Sequence, residues 1–149
     1  MNFMPIIVKI ENKKILIVGA GNVALNKIKI IKQFSNNITI ISPVVKDEIL
    51  NFNLNVIKRK INYKDLLNYD IIYCCSNNKR LNEKIANYCK KRNKLVNVVD
   101  NPELSSFISP AIFVKDYMTV SVSSTGVDVK KSIRWRDKIR DLVQYGEIN

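Results

Sequence analysis

The sequence predicts an α/β fold, a doubly wound parallel sheet followed by a small β-pair and a helix. Three observations carry this expectation. Short apolar runs alternate with amphipathic stretches from residue 15 to residue 99, the signature of strands joined by crossover helices. The first strong run flows into the turn Gly19-Ala20-Gly21 and then into a helical pattern. After Asn101-Pro102 the alternation stops, and two β-rich runs precede one last helical stretch. The boundary this suggests divides a sheet domain, residues 1–112, from a region at 113–149.

The elements follow in order. Residues 6–10 (Ile-Ile-Val-Lys-Ile) read as a short first strand, and Glu11-Asn12-Lys13 as a turn. Ile15–Val18 is the first core strand. A helix is expected from Asn22 to about Phe34, with apolar residues at Val23, Ile28, Ile30, Ile31 and Phe34, and Ser35-Asn36-Asn37 breaks it. Ile38–Ile41 is a strand ended by Ser42-Pro43. Residues 44–53 read as a short helix, Asn55–Ile61 as a strand with the basic centre Lys58-Arg59-Lys60, and Tyr63–Leu67 as a helical turn. Ile71–Cys75 is a strand, Asn78–Arg92 a helix with Leu81, Ile85, Ala86 and Cys89 on one face, and Leu95–Val99 a further strand. Phe107–Val114 and Met118–Ser123 read as two strands around Lys115-Asp116-Tyr117, and Asp128–Val143 as the final helix. A lone β-pair with one helix buries little surface, so residues after about 113 are expected to pair two copies into a homodimer.

The chain has 149 residues, 46% of them hydrophobic, which suits one domain with a small appendage. No apolar run approaches the ~20 residues of a membrane span, and the start lacks the basic residues and cleavage site of a signal peptide. The expectation is a soluble, cytoplasmic protein. Cys74, Cys75 and Cys89 are odd in number and include an adjacent pair, so they read as buried thiols rather than a disulfide framework. The 25 basic and 13 acidic residues give a net charge of +12, spread evenly along the chain. Such a charge suits an anionic small molecule, a nucleic acid, or solubility alone. No nucleic-acid motif or aromatic platform accompanies the lysines, so nucleic acid is not an expected partner. Histidine is absent, which excludes His-based acid–base catalysis and His metal ligation. Proton chemistry falls to Asp, Glu, Lys, Tyr or Cys, and no metal site is expected.

Four strand ends are candidates for chemistry, since open parallel sheets bind ligands at the carboxyl ends of their strands. The first is Gly19-Ala20-Gly21-Asn22-Val23-Ala24, a Gly-x-Gly-x-x-Ala turn between strand and helix. Its first Gly allows the sharp turn, and its second lets a pyrophosphate approach the backbone. The small Ala24 lets the helix pack close, and the helix N-terminus faces the phosphates. This is the arrangement of a Rossmann-type dinucleotide site, with Gly19, Gly21, Asn22 and Val23 as cofactor contacts. The second end is Ser42-Pro43-Val44, where a carboxylate for the adenine ribose is expected about 20 residues past the glycines. It is missing, since the strand ends in Ser42 and Asp47 comes five residues late, so ribose would bond Ser42 or main-chain groups, and NAD against NADP stays open. The third end, Cys75-Ser76-Asn77-Asn78, suits contact with the cofactor through Ser76, or an Asn-rich helix cap. The fourth, Val98-Val99-Asp100-Asn101-Pro102, puts Asp100 at the exit of a buried strand, as a catalytic carboxylate or a turn residue. Ser123-Ser124-Thr125-Gly126 reads as an anion-holding turn or a helix cap. Lys130, Lys131, Arg134 and Arg136 form a carboxylate-binding or simply solvated basic face.

Taken together, these residues resemble the precorrin-2 dehydrogenase family, the amino-terminal module of sirohaem synthases. The resemblance covers Met4-Pro5-Ile6, the glycine turn, Asn97-Val98-Val99-Asp100, Ser105-Phe107-Ile108-Pro110-Ala111 and Val120-Ser121-Val122-Ser123-Ser124-Thr125-Gly126. It implies NAD-dependent oxidation of precorrin-2 to sirohydrochlorin on the route to sirohaem, with some members also inserting ferrous iron. Asp100 matches the family's catalytic aspartate. Asn22-Val23 and Pro43-Val44 match its cofactor contacts, and Ser124 a serine near the substrate cleft; Lys130, on the basic face of the last helix, is a further candidate for the substrate's carboxylates. The family's Ser-Pro pair after the Ser-x-Gly turn is replaced here by Val127-Asp128-Val129-Lys130-Lys131. Relatives also continue into a helical carboxy-terminal region without counterpart in this sequence. An alternative on the same glycine turn is a regulatory module that binds NAD(H) without catalysis.

Overall fold

A computed structural model describes residues 3–99 and 101–148. It divides into two compact units, one spanning Pro5–Phe107 and the other formed mainly by the chain from Ile108 onward.

The first unit is a five-stranded, wholly parallel sheet. Its strands are β1 (Ile15–Val18), β2 (Ile38–Ile41), β3 (Asn55–Ile57), β4 (Ile71–Cys74) and β5 (Leu95–Val98), in the order β3-β2-β1-β4-β5. The chain winds from β1 outward to β3 and then back to β4 on the other side of β1. The direction of winding therefore reverses between β1 and β4. Every residue of β1 and β2 is buried, as expected for parallel strands covered on both faces. One layer of core gathers Ile15, Ile17, Ile38 and Ile40 against Ala24, Leu25, Ile28 and Ile31. The opposite layer gathers Leu16, Val18, Ile72 and Val96 against Ile85, Ala86 and Cys89.

Helices α1 (Asn22–Ile31) and α3 (Lys79–Lys90) supply those apolar stripes, and the short α2 (Asp47–Leu50) adds Ile49 to the first layer. Several are shorter than the sequence suggests, each for a local reason. Lys32–Phe34 leave α1 through i→i+3 bonds, Gln33 to Ile30 (3.2 Å) and Phe34 to Ile31 (2.9 Å), the usual tightening of a last turn. Val44 and Val45 stay outside α2 because the Lys46 N–H is drawn onto the Ala20 carbonyl (3.1 Å). β3 stops at Ile57, where the Arg59 N–H folds back to Ile57 O (3.0 Å) and the Arg59 guanidinium clasps Asp65 through two bonds of 2.7 and 2.8 Å.

The strand expected at residues 6–10 does not form. Both sides of β1 are already occupied by β2 and β4, so this segment has no adjacent ladder, and Ile6 and Ile7 are exposed. The outer edge of β5 is covered instead by Ser105-Ser106-Phe107. The Ser106 hydroxyl accepts from Val96 N (2.8 Å), and the Ser105 hydroxyl from Val98 N (2.8 Å). Asn97 Nδ2 donates to Phe107 O (3.0 Å). Serines in this segment thus satisfy donors that a bare edge strand would leave open to another chain.

In the second unit, β6 (Ala111–Lys115) and β7 (Met118–Val122) form an antiparallel hairpin, and α4 (Val129–Gln144) packs on it. Asp116 takes φ +53° in the two-residue link, a conformation that Asp tolerates in hairpin turns. Arg136 donates to Ile112 O (2.8 Å), and Lys115 Nζ to Val143 O (3.2 Å). Ser132 is the one buried residue of α4. Trp135, Val129, Met118 and Tyr117 are exposed.

Candidate functional site: a dinucleotide crevice

The register of the sheet puts four strand ends side by side. Val18 pairs with Ile41 and with Cys74, and Cys74 pairs with Val98. Gly19, Ser42, Cys75 and Val99 therefore leave the sheet on one edge. The ladder runs one residue further through Gly19 N to Ile41 O (3.0 Å), Cys75 N to Val18 O (2.8 Å) and Val99 N to Cys74 O (3.2 Å). This edge holds the reversal between β1 and β4, where open α/β sheets bind ligands.

Each glycine of the turn has its own role. Gly19 has φ +98°, and a Cβ there would lie 2.8 Å from Cys75 O and 2.9 Å from Ser76 N. It is the residue that lets the β1 and β4 loops close on each other. A Cβ on Gly21 would meet nothing within 4 Å, so Gly21 fronts open space. Gly21 is also the N-cap of α1; no side chain caps that helix, and its first turn holds no acidic residue. The first bond into the helix runs from Leu25 N to Gly21 O (3.0 Å). The N–H groups of Asn22, Val23 and Ala24 are thus left to an anion, favoured further by the helix dipole. A bare, approachable backbone beside a helix N-terminus fits the diphosphate of a nicotinamide dinucleotide.

On the β2 side, Ser42 is buried and its hydroxyl donates to Val44 O (2.6 Å), which fixes the turn through Pro43. Only the lone pairs of Ser42 Oγ remain for a ribose hydroxyl. Val44 stands exposed over this turn. Lys46 reaches back to the start of α1, where its Nζ donates to Asn22 Oδ1 (2.8 Å). The same ammonium pairs with Glu48 (2.9 Å) and holds that carboxyl below its ordinary value.

On the β4 side, Ser76 and Asn82 lock together. The Ser76 hydroxyl donates to Asn82 Oδ1 (2.6 Å), and Asn82 Nδ2 donates to Ser76 O (2.8 Å). Asn78 caps α3 by accepting from Leu81 N (3.0 Å), so the cap lies at Asn78 and Ser76 is tied to α3. A cleft of about 490 Å³ opens here, lined by Ser76, Asn82, Val98, Val99, Asn101 and Glu103. A smaller hollow of about 320 Å³ lies around Lys13, Asp70 and Lys94 near the amino ends of β4 and β5, the edge where parallel sheets do not place their ligands.

The structure thus brings Gly19, Gly21, Asn22, Val23, Ser42, Pro43, Val44 and Ser76 to one sheet edge. Asp100 lies outside the described residues. Its neighbours are firmly held: Asn101 N donates to Val98 O (3.1 Å), and the Ser105 hydroxyl donates to Asn101 O (3.0 Å). Ser124 and Lys130 belong to the second unit. Ser124 Oγ accepts from Asp128 N (2.9 Å) and braces the N-cap of α4, where Asp128 in turn accepts from Lys131 N (2.8 Å). Lys130 is exposed in the first turn of α4.

Lys46 and Asn82 escape a reading of the sequence. Asn82 has a visible trace, a polar residue on the Ile85–Ala86–Cys89 stripe of α3. Lys46 has none, because its approach to Asn22 depends on the fold of the β2–α2 loop. The three cysteines form no disulfide and are buried. Burial pushes the Cys74 thiol far up and the Cys89 thiol up to about 11, so neither supplies a thiolate near neutral pH.

Comparison with known proteins agrees with this geometry. A family described as NAD(P)-binding matches residues 6–111. The precorrin-2 dehydrogenase of Bacillus subtilis is 31% identical over 144 residues, covering 94% of this chain and 88% of that protein. The chain belongs to the precorrin-2 dehydrogenase family. Within that family it is also similar to the siroheme synthase of Buchnera aphidicola, 34% identical over 96% of this chain. It spans about a third of the length of such synthases, 31% in this case. The solved structure of SirC, a precorrin-2 dehydrogenase, shares the fold with a TM-score of 0.75 at 23% identity, over 93% of this chain and 70% of that one.

Proposed function

We propose that this precorrin-2 dehydrogenase family member oxidises precorrin-2 to sirohydrochlorin in the cytoplasm, with NAD as hydride acceptor. One observation carries the reading: an uncapped helix N-terminus behind Gly19 and Gly21 stands at the winding reversal of the sheet. The 31% identity to the Bacillus subtilis enzyme, over most of that protein, supports the substrate. Gly21, Asn22 and Val23 bind the diphosphate through main-chain N–H groups. Ser42, Pro43 and Val44 border the adenosine, and Ser76 borders the nicotinamide end. The bound dinucleotide supplies a two-electron acceptor. Asp100, as the resemblance implies, takes the proton that leaves the macrocycle as the hydride departs and passes it to solvent. In a chain without histidine, a carboxylate at the end of β5 is the natural choice for this step. The net charge of +12 draws a polycarboxylate tetrapyrrole towards the protein, and Ser124 and Lys130 offer it polar contacts.

Residues 1–112 carry the dinucleotide and residues 113–149 pair two copies. Support for the homodimer comes from the second unit, whose α4 buries only Ser132 and leaves Trp135 59% exposed. Size-exclusion chromatography with light scattering tests it, and Trp135→Glu is expected to yield monomer.

The activity is tested anaerobically with precorrin-2 and NAD, following sirohydrochlorin and NADH together. Ferrous iron added afterwards tests metal insertion. Tight NADH binding with no turnover would instead mark the chain as a regulatory dinucleotide-binding module.

A further inference from the structure

The β2 side of the crevice lacks the group that normally selects NAD. That selection comes from a carboxylate at the end of β2, which accepts hydrogen bonds from the ribose and repels a 2′-phosphate; a basic residue nearby does the opposite. Here β2 ends in Ser42, and Lys46 follows on the same loop. Its main chain is fixed to Ala20 O (3.1 Å), and its Nζ lies 2.8 Å from Asn22 Oδ1 at the start of α1. The adenine ribose of a dinucleotide lies between the end of β2 and the start of α1, and Lys46 bridges those two elements. The ammonium side chain is 36% exposed, and its carboxylate partner Glu48 is 54% exposed, so an arriving ligand can displace Glu48.

A second observation points the same way. The exposed run Lys58-Arg59-Lys60 leaves β3 beside the end of β2, since Ile41 pairs with Ile57. Asp65 is committed to Arg59 through two bonds. With Arg59 neutralised by that pairing, Lys58 and Lys60 are the cations this side adds, set against Asp47 and Glu48 beside Lys46.

We propose that this crevice accepts a 2′-phosphorylated dinucleotide, NADP, as well as NAD, and that Lys46 is the residue that reads the 2′-phosphate. The proposal rests on the dinucleotide reading above. A charge-assisted bond to the phosphate exists only with NADP, so losing it changes the preference between cofactors rather than binding in general.

Calorimetric titration of the full chain with NAD and with NADP tests this, using wild type, Lys46→Met and Lys46→Arg. Wild type is expected to bind NADP within about tenfold of NAD. Lys46→Met should weaken NADP about tenfold more than NAD, the loss of one charge-assisted hydrogen bond, and Lys46→Arg should restore the wild-type ratio. Equal weakening of both cofactors by Lys46→Met would make Lys46 a diphosphate ligand and overturn the proposal. An unchanged ratio, or wild-type NADP binding about a hundredfold weaker than NAD, would also overturn it. Failure of wild type to bind either dinucleotide would remove the dehydrogenase reading together with this one.

Discussion

Gly19 and Cys75 approach so closely that a methyl group at Gly19 would stand 2.8 Å from the Cys75 carbonyl oxygen. The contact is backbone against backbone, so no side-chain rotation relieves it. It joins the turn after β1 to the turn after β4, the two sides of the crevice.

Gly19→Ala should therefore damage both fold and binding. The residue sits at φ +98°, which by itself costs an L-residue about 1–2 kcal/mol. Separation of the two turns adds to this, for a total of about 2 kcal/mol or more. Chemical denaturation should show that loss, with dinucleotide affinity falling in parallel. Gly21→Ala meets no atom within 4 Å and should fold as wild type, yet bind the dinucleotide more weakly because its methyl occupies the ligand's path.

The Ser76–Asn82 lock predicts a second effect. Asn82→Ala removes the acceptor of the Ser76 hydroxyl and the donor to Ser76 O. Partly buried groups left without partners cost about 1–3 kcal/mol. The variant should unfold at lower denaturant, and the β4–α3 loop, whose Ser76 N lies 2.9 Å from the Gly19 Cβ position, should exchange its amide hydrogens faster.

Acid should weaken the sheet unit. The Arg59 guanidinium holds the Asp65 carboxyl below the usual carboxylate range, and the Lys14 N–H (2.9 Å) does the same for Asp70. A depressed folded value means the stabilisation is present above the unfolded carboxylate value, about 4, and is lost as pH falls through the folded one. Both groups are partly solvated, so each contributes no more than about 1 kcal/mol. Denaturation midpoints should fall below about pH 4. Asp65→Asn should be less stable than wild type at neutral pH, and the gap should narrow on acidification.

Much of the fold was legible in the sequence because burial on both faces demands unbroken apolar runs. Ile15–Val18, Ile38–Ile41 and Ile71–Cys74 satisfy that demand and nothing else in the chain does so as clearly. Residues 6–10 are apolar apart from Lys9, but a strand also needs a vacant neighbour, and β1 has none. The glycine turn was legible because its backbone geometry restricts which residues it admits. Lys46 and Asn82 were not, since each acts through a partner brought close by folding, Asn22 across 24 positions and Ser76 across a helix cap.

The most direct measurement is anaerobic turnover of precorrin-2 with NAD by wild type and by Asp100→Asn, with NAD affinity measured in both. Wild type should form sirohydrochlorin and NADH in equal amounts. Asp100→Asn should lose about a hundredfold or more in rate, the contribution of a positioned acid–base group, while still binding NAD. Undiminished turnover by Asp100→Asn, or none by wild type, would contradict the account.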